Sequence, residues 1–285
     1  MEHRQPEAHS VYREYLPRPE LRPYVRALAW FGPVVHRDPS FTLARESYIG
    51  RNDALTPSFA AAQSSLLFPL GVSYSDLRWN DASESGPIAM GAMTRATPPG
   101  PDRQGMAGAY LTPLGSATLL GVPAAELTDR VIPLADIWKN STLSTERPTL
   151  DGIERLLCRH LTLTPSQQLT GVRIASLATH VDARAGGITV AEMAELAGVS
   201  RQHLRRLFRE HIGVTPKQYS RLARFRAGLR LLGESARRES WSRLAALLGY
   251  ADQSHLIADF REFSGFTPTQ LAAGRHFHPF VGEPE

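Results

Sequence analysis

The chain has little cysteine, little lysine and no long apolar run. Cys158 is the only cysteine in 285 residues, which excludes a disulfide framework and a cysteine-based metal site. No stretch approaches the roughly 18 apolar residues that a membrane helix needs. The opening M-E-H-R-Q-P lacks the apolar segment of a signal peptide. We therefore expect a cytoplasmic protein with no membrane partner.

The common enzyme motifs are also missing. The sequence contains no G-x-S-x-G, no H-E-x-x-H, no phosphate-binding loop and no dinucleotide-binding glycine motif. His36, His160 and His180 stand alone and are interpreted as structural or surface residues. His276-x-His278 is a weak metal motif in a polar tail. We predict no catalytic activity, no cofactor and no bound metal.

The most informative feature present is a repeat. The segment Ala197–Pro216 reads A-G-V-S-R-Q-H-L-R-R-L-F-R-E-H-I-G-V-T-P, and Leu248–Pro268 reads L-G-Y-A-D-Q-S-H-L-I-A-D-F-R-E-F-S-G-F-T-P. His203 corresponds to His255 at an offset of 52, whereas Gly198 and Gly249 differ by 51. The second copy therefore carries one extra residue in its turn, and a repeat at such a fixed period indicates duplicated structural units.

Each copy predicts two helices joined by a tight turn. Thr189-x-x-Glu192 is a capping box, Gly198 suits the turn, and Ser200 and Asp252 occupy N-cap positions. A proline and a capping-box glutamine then start the next helix in both copies, in Thr215-Pro216-x-Gln218 and Thr267-Pro268-x-Gln270. The sequence predicts two helix-turn-helix units, at 189–211 and 240–263. One helix over Lys217–Leu232 joins them and spans about 24 Å, a sensible spacer for recognition helices entering successive major grooves about 34 Å apart.

One face of the second helix in the first unit is strongly polar. It carries Ser200, Arg201, Gln202, Arg205, Arg206 and Arg209, opposite an apolar stripe that includes Leu204 and Phe208. Arginine can form two hydrogen bonds to guanine, and glutamine two to adenine. A solvated arginine face is the ordinary alternative, but the tandem arrangement favours contact with double-stranded DNA.

The corresponding face of the second unit is less polar and is formed by Gln253, Ser254, Ile257, Ala258 and Arg261. Ile257 and Ala258 suit thymine methyl groups, and Ser254 and Arg261 suit phosphates. Asp259 would repel the DNA backbone if it faced it. We expect the first unit to carry most base readout and the second to position the protein.

The excess positive charge of the chain lies in the part that contains the repeat. Residues 171–275 contain 16 Lys and Arg against 9 Asp and Glu, a net charge of +7, whereas residues 1–170 contain 16 against 17. The excess positive charge therefore lies where the motif predicts nucleic acid.

These motifs resemble the AraC/XylS-type transcription regulators over residues 171–274. The resemblance implies sequence-specific DNA binding through reading helices at 200–210 and 252–263. It also implies activation of transcription with RNA polymerase as a further partner, although no residue decides between activation and repression. Many family members have polar or basic residues where this chain has Ile257-Ala258-Asp259, so we expect fewer base contacts from the second unit than from the first.

Residues 1–165 have a different character and contain 17 of the 21 prolines. Short apolar, partly alternating runs predict a mainly β sandwich or barrel-like domain followed by helices, so the fold class is α+β and multidomain. The runs are Tyr24–Phe31, Phe41–Ile49, Ser65–Leu70, Val72–Trp79 and Met106–Leu111. The stretches Gly91–Arg95 and Gly115–Asp129 resemble an uncharacterised domain found ahead of such DNA-binding modules. That resemblance implies binding of a small-molecule effector, or homodimerisation, in this domain. Residues 275–285 form a tail.

An effector pocket would be lined by aromatic side chains with a few polar anchors. The candidates are Trp30, Tyr48, Tyr74, Trp79 and Tyr110, with Arg95 as a partner for an anion. Ordinary core or surface positions are the alternative for each of them. The apolar stripe over Leu150–Leu161 suits either a dimer helix or packing against its own domain.

Two other functions fit parts of the sequence. The same double module occurs in DNA-repair alkyltransferases of the Ada type, but these need several cysteines where this chain has only Cys158. An architectural DNA binder without sequence preference is the third interpretation, and the polar face at Gln202, Arg205 and Arg206 disfavours it.

Overall fold

The computed structural model describes residues 10–33, 40–49, 60–69, 86–96, 106–139, 148–161, 165–235 and 240–273. In the first half, the described strands are β1 Ser10–Tyr15, β2 Val25–Pro33, β3 Leu43–Ile49, β4 Ser65–Pro69, β5 Ile88–Met90, β6 Met106–Leu111 and β7 Val131–Pro133. They form one antiparallel sheet in the order β3-β1-β2-β6-β4-β5-β7. The predicted run Val72–Trp79 lies outside the described residues.

The two faces of this sheet have different partners. Because side chains alternate along a strand, Leu28 and Leu66 lie on one face and pack with helix residues such as Leu134 and Ile153. Tyr12, Phe31 and Tyr110 lie on the opposite face, around the small side chains of Ala27 and Ala29.

Three helices accompany the sheet: α1 Pro113–Leu119, α2 Leu134–Ile137 and α3 Leu150–His160. The Thr112 hydroxyl caps α1 by accepting from the Gly115 amide at 3.0 Å, and Pro113 opens the helix. Leu150, Ile153 and Leu157 of α3 are buried in this core. The apolar stripe of α3 therefore packs against its own domain.

The second half is all helical in its described residues. Its helices are α4 Pro165–Ala183, α5 Val190–Leu196, α6 Arg201–His211, α7 Pro216–Ser235, α8 Trp241–Leu247, α9 Gln253–Ser264 and α10 Pro268–Ala273. The predicted fold class is confirmed: a mainly β first half with helices, then two helix-turn-helix units joined by a linker helix.

The repeat extends further back along the chain than the turn motifs indicate. Buried Ile174 and Val181 of α4 precede buried Phe225 and Leu232 of α7 by 51 positions, the same offset as Gly198 and Gly249. Each unit is therefore a three-helix structure, and all of these apolar residues share one core.

Candidate DNA-binding surface

The first unit is built from reciprocal caps and a glycine turn. The Thr189 hydroxyl accepts from the Glu192 amide at 3.2 Å, and a Glu192 carboxylate oxygen accepts from the Thr189 amide at 2.8 Å. The Thr189 backbone N–H, with its hydroxyl, holds the pKa of Glu192 below its usual value. Gly198 has a φ of 63° in the turn, where a left-handed backbone suits glycine. These contacts fix the orientation of α6 relative to α5.

Helix α6 has one buried face and one exposed face. Ser200 caps it, with its hydroxyl accepting from the His203 amide at 3.2 Å. The buried side chains are Leu204, Leu207, Phe208 and His211, and the exposed ones include Ser200, Arg201, Gln202, Arg205, Arg206 and Arg209. Among the described residues, no carboxylate pairs with any of these four arginines. The exposed face is therefore a stripe of uncompensated positive charge.

The second unit repeats this scaffold. Ser240 caps α8, Gly249 has a φ of 69° in the turn, and Asp252 caps α9 by accepting from the His255 amide at 2.9 Å. Asp252 also lies 3.0 Å from His255 Nδ1. The backbone N–H of His255 is the main reason that the pKa of Asp252 lies below its ordinary value.

The polar face of α9 is only partly available. Ser254, Ala258 and Arg261 are exposed, whereas Gln253 and Ile257 are half-buried. The Gln253 side-chain oxygen accepts from the Ser242 hydroxyl at 3.0 Å, and Ile257 packs against the shared core. Fewer groups on α9 than on α6 can therefore reach a base edge.

Asp259 does not face the surface that would meet DNA. Its side chain is buried and holds Arg221 of α7, with Arg221 Nη2 2.6 Å and Nε 3.2 Å from the same carboxylate oxygen. Asp259 occupies the position in α9 that buried Leu207 occupies in α6, since the two differ by 52. The repulsion considered from the sequence does not arise, because a position on this face points inward in both units.

The linker helix α7 packs against α4 of the first unit and α9 of the second. Thr215 and Gln218 form its capping contacts, and Phe225 packs edge-on against Phe260 of α9 at 5.0 Å between ring centroids. On the other side, Arg226 contacts Asp182 of α4 at 2.5 Å, and the Tyr219 hydroxyl donates to the same carboxylate at 2.8 Å. Helix α7 thus contacts helices of both units.

The predicted effector residues do not converge on one site. Trp30 and Tyr110 lie on opposite faces of the sheet, with Trp30 against the helix-packed core and Tyr110 beside Tyr12. Arg95 is exposed in the loop after β5. Tyr48 lies on β3. Tyr74 and Trp79 lie outside the described residues.

A polar cluster that the sequence did not suggest surrounds Tyr110. The Tyr12 hydroxyl donates to Glu14 at 2.5 Å and lies 3.3 Å from the Tyr110 hydroxyl. Arg26 Nη2 is 3.4 Å from Glu14, and its guanidinium lies 5.1 Å from the Tyr110 ring centroid. Burial is the main cause that raises the pKa of Tyr12. The run V-Y-R-E-Y in β1 looks like an exposed strand, so only the fold reveals that Glu14 is buried.

The helices in the described part of the chain are too short or too polar to cross a bilayer. Within the same ranges, no three potential metal-ligating side chains come together.

The family model described as "Helix-turn-helix domain" matches residues 193–274. Two curated relatives match part of the chain. One is "Probable transcriptional regulator LumQ" of Photobacterium leiognathi, 32% identical over 83 residues, which are 29% of this chain and 33% of that protein. The other is "Uncharacterized HTH-type transcriptional regulator YidL" of Escherichia coli K12, 32% identical over 96 residues, 34% of this chain and 32% of that protein. The chain spans about a third of the length of these relatives.

Two solved structures are similar at low scores. The C-terminal domain of AraT, a response regulator from Geobacillus stearothermophilus, has a TM-score of 0.33 at 18% identity and covers 38% of this chain and 89% of that one. ToxT from Vibrio cholerae has a TM-score of 0.38 at 10% identity and covers 77% of this chain and 92% of that one. The fold and the family match together define a tandem helix-turn-helix domain. Residues 193–274 therefore match the helix-turn-helix domain that the resemblance predicts.

Proposed function

We propose that this protein is a sequence-specific, DNA-binding regulator of transcription. The observation that carries the proposal is the exposed face of α6, where Gln202 and the arginines around it stand opposite a buried stripe, without acidic partners among the described residues. An N-capped helix with such a face, held against a preceding helix by a glycine turn, is the geometry that enters a major groove. The arginine and glutamine side chains supply the donors and acceptors that distinguish base pairs.

The two units have different roles in this proposal. Gln202, Arg205 and Arg206 of α6 read bases, and Arg209 binds phosphate at the far end of the helix. On α9, Ser254 and Arg261 remain exposed and bind phosphates, while half-buried Ile257 makes at most an apolar base contact.

Substitution of the α6 side chains tests this assignment. Gln202→Ala or Arg205→Ala should weaken binding to a specific site by about 1–3 kcal/mol and relax preference at one position. The matched control is Arg159→Ala, an exposed arginine on α3, which should change neither property. Affinities for specific and random duplexes are compared at one salt concentration, because phosphate contacts are salt-dependent. An unchanged ratio of specific to random affinity in the α6 variants would rule out α6 as the reading helix.

Control by a small molecule is the second part of the proposal. Tyr12 and Glu14 are buried beside Tyr110, and half-buried Arg26 lies at their edge. These residues provide a carboxylate and hydroxyl groups in a low-dielectric setting, which suits a ligand with hydroxyl or amino groups. Thermal-shift measurement against sugars, amines and carboxylates tests it. A stabilising ligand whose effect disappears in Glu14→Gln supports this site, and a ligand that stabilises both proteins equally places the effector elsewhere.

Dimerisation and contact with RNA polymerase complete the proposed mode of action. The α3 stripe is occupied by its own domain, so a dimer would have to use another surface. Sedimentation at several concentrations, with and without DNA, measures the oligomeric state directly.

An alkyl-transfer function has weak chemical support. Cys158 is half-buried on α3, and desolvation is the main cause that raises the pKa of its thiol. A raised pKa disfavours the nucleophilic thiolate. Methyl transfer from methylated DNA that is lost in Cys158→Ser would reopen the repair interpretation.

A further inference from the structure

The two sequence stretches Gly91–Arg95 and Gly115–Asp129 meet in the structure and interlock. The Thr94 amide donates to one carboxylate oxygen of Asp129 at 2.6 Å, and the Thr94 hydroxyl donates to the other at 2.7 Å. The Asp129 amide donates to the Ala92 carbonyl at 2.9 Å. Asp129 has a φ of 56°, a left-handed conformation that these contacts hold in place. We name residues 60–62, 91–96 and 124–129 together the bridge surface.

The bridge surface contacts the first unit where α6 ends. The Thr128 hydroxyl donates to the Gly213 carbonyl at 2.7 Å. Gly213 has a φ of 98°, and a β-carbon there would lie 3.0 Å from the Ala124 carbonyl oxygen. Just before it, His211 is buried and lies close to the backbone of Pro113 at the start of α1. The first half of the chain thus holds the C-terminal end of α6.

The same surface contacts the second unit where α9 ends. The Ala60 amide donates to the Phe263 carbonyl at 2.8 Å, and the Ala96 amide donates to the Glu262 carbonyl at 3.3 Å. Carbonyl groups in the last turn of a helix have no partner within the helix, so these amides satisfy them. Ala92 is fully buried and packs in the same core as the helices of the second half.

Both reading helices are therefore held at their C-terminal ends, while Arg209 and Arg261 stay exposed. The first half restrains the two units without covering the faces that would meet DNA. Helix α7 connects the units on one side, and the bridge surface adds a second connection. Two separate supports resist bending between the units, which one helix alone would permit.

We propose that the bridge surface fixes the separation and orientation of α6 and α9, and so determines which spacing between two DNA boxes the protein accepts. This inference rests on the proposed function for its consequence on DNA, but the restraint itself exists in the absence of DNA. Thr128 and Ala96 act as positioning residues, since they contact helix ends rather than bases.

The first measurement needs no DNA. Spin labels are attached in the full chain carrying Cys158→Ser, at the equivalent exposed positions Gln202→Cys and Ser254→Cys, and their distance distribution is recorded. We expect a narrow distribution that broadens with Thr128→Val or with Ala96→Pro, which removes the amide donor. Thr179→Val is the control, because Thr179 donates to the Ala175 carbonyl at 3.1 Å away from the bridge surface. An unchanged distribution in both bridge variants overturns the proposal even if the protein binds DNA.

The second measurement uses two-box duplexes selected with the wild-type protein, with the gap varied one base pair at a time. Thr128→Val should reduce discrimination between the best gap and a gap one base pair longer by about three- to tenfold, the equivalent of one hydrogen bond. The same variant should leave binding to a single box unchanged. If the wild-type protein selects no DNA site, the proposed function is refuted. If the spin-label distances still broaden in the variants, the restraint by the bridge surface is nevertheless supported.

A rescue experiment separates positioning from simple loss of folding. A β-carbon on Gly265 would lie 3.9 Å from that of Ala96, within the range of a disulfide. Ala96→Cys with Gly265→Cys, in the Cys158→Ser chain that also carries Ala60→Pro, which removes the amide donor to Phe263, should recover the gap preference when oxidised and lose it when reduced. Gly265 has a φ of 79°, so the melting temperature of each form is measured first. Loss of DNA binding on oxidation would contradict the proposal, because it would mean that the bridge must open for binding.

Discussion

Replacing Asp259 by alanine should destabilise the second unit by about 2 kcal/mol. Asp259 and Arg221 form a charged pair whose side chains are 9% and 31% exposed. Removing one partner of a fully buried pair costs about 3–5 kcal/mol. Arg221 is partly solvated and retains Glu262 at 2.6 Å, so the expected loss lies below that range.

Urea unfolding of the full-length protein, followed by circular dichroism, measures this loss. Glu262→Ala is the matched control, because it removes the more exposed partner of the same arginine, and its cost should stay below about 1 kcal/mol. A change in Asp259→Ala of less than about 0.5 kcal/mol would refute the reasoning that this pair fastens α9 to α7.

The same position gives an independent test of orientation. Because the Asp259 carboxylate points into the protein, Asp259→Asn should leave the salt dependence of DNA binding unchanged. A carboxylate facing the phosphates would instead oppose them, so its removal would strengthen binding at low salt. Stronger binding by Asp259→Asn would contradict the inward position.

Three further outcomes follow from single contacts. Burial lowers the pKa of His211, so the folded protein favours the neutral ring. The contribution of this histidine to stability is therefore present above its pKa in the unfolded chain, about 6.5, and is lost as the pH falls through its pKa in the folded protein. In urea titrations the stability gap between wild type and His211→Gln should narrow from pH 7 to pH 5, and parallel curves would contradict this. Gly115→Ala should cost about 3 kcal/mol in the same assay, because its β-carbon would lie 1.8 Å from the Tyr24 carbonyl oxygen; Gly86→Ala, with open space, is the neutral control. Ser200→Ala should cost about 1 kcal/mol through loss of the α6 cap, and an unchanged urea midpoint would show that the cap is dispensable.

The helical half could be predicted because its signals are local. A capping box, a turn glycine and an N-cap such as Thr189, Gly198 and Ser200 each act within a few residues. The second copy repeats these capping and turn signals, and the predicted linker helix appears as α7. The first helix of the first unit, α4, was not predicted because its apolar pattern contains no distinctive turn or capping residue.

The first half was harder because its order comes from distant contacts. Strand β1 contains Arg13 and Glu14, which look like exposed positions until β2 and β3 flank the strand. Trp30 and Tyr110 looked like partners by residue type, yet the strand register places them on opposite faces. The hydrogen bond between Ala60 and Phe263 joins two backbone groups, so no pattern of side chains in the sequence predicts it.

Selection of sites from random duplex DNA with the full-length protein, at moderate and at high salt, tests the central claim most directly. We expect one strongly enriched box, read by α6, with a second and more tolerant box about one helical turn away. Enrichment should be lost when Gln202→Ala and Arg205→Ala are combined. No enrichment at either salt concentration, or the same enriched pool from the double variant, would contradict the claim that α6 reads DNA sequence.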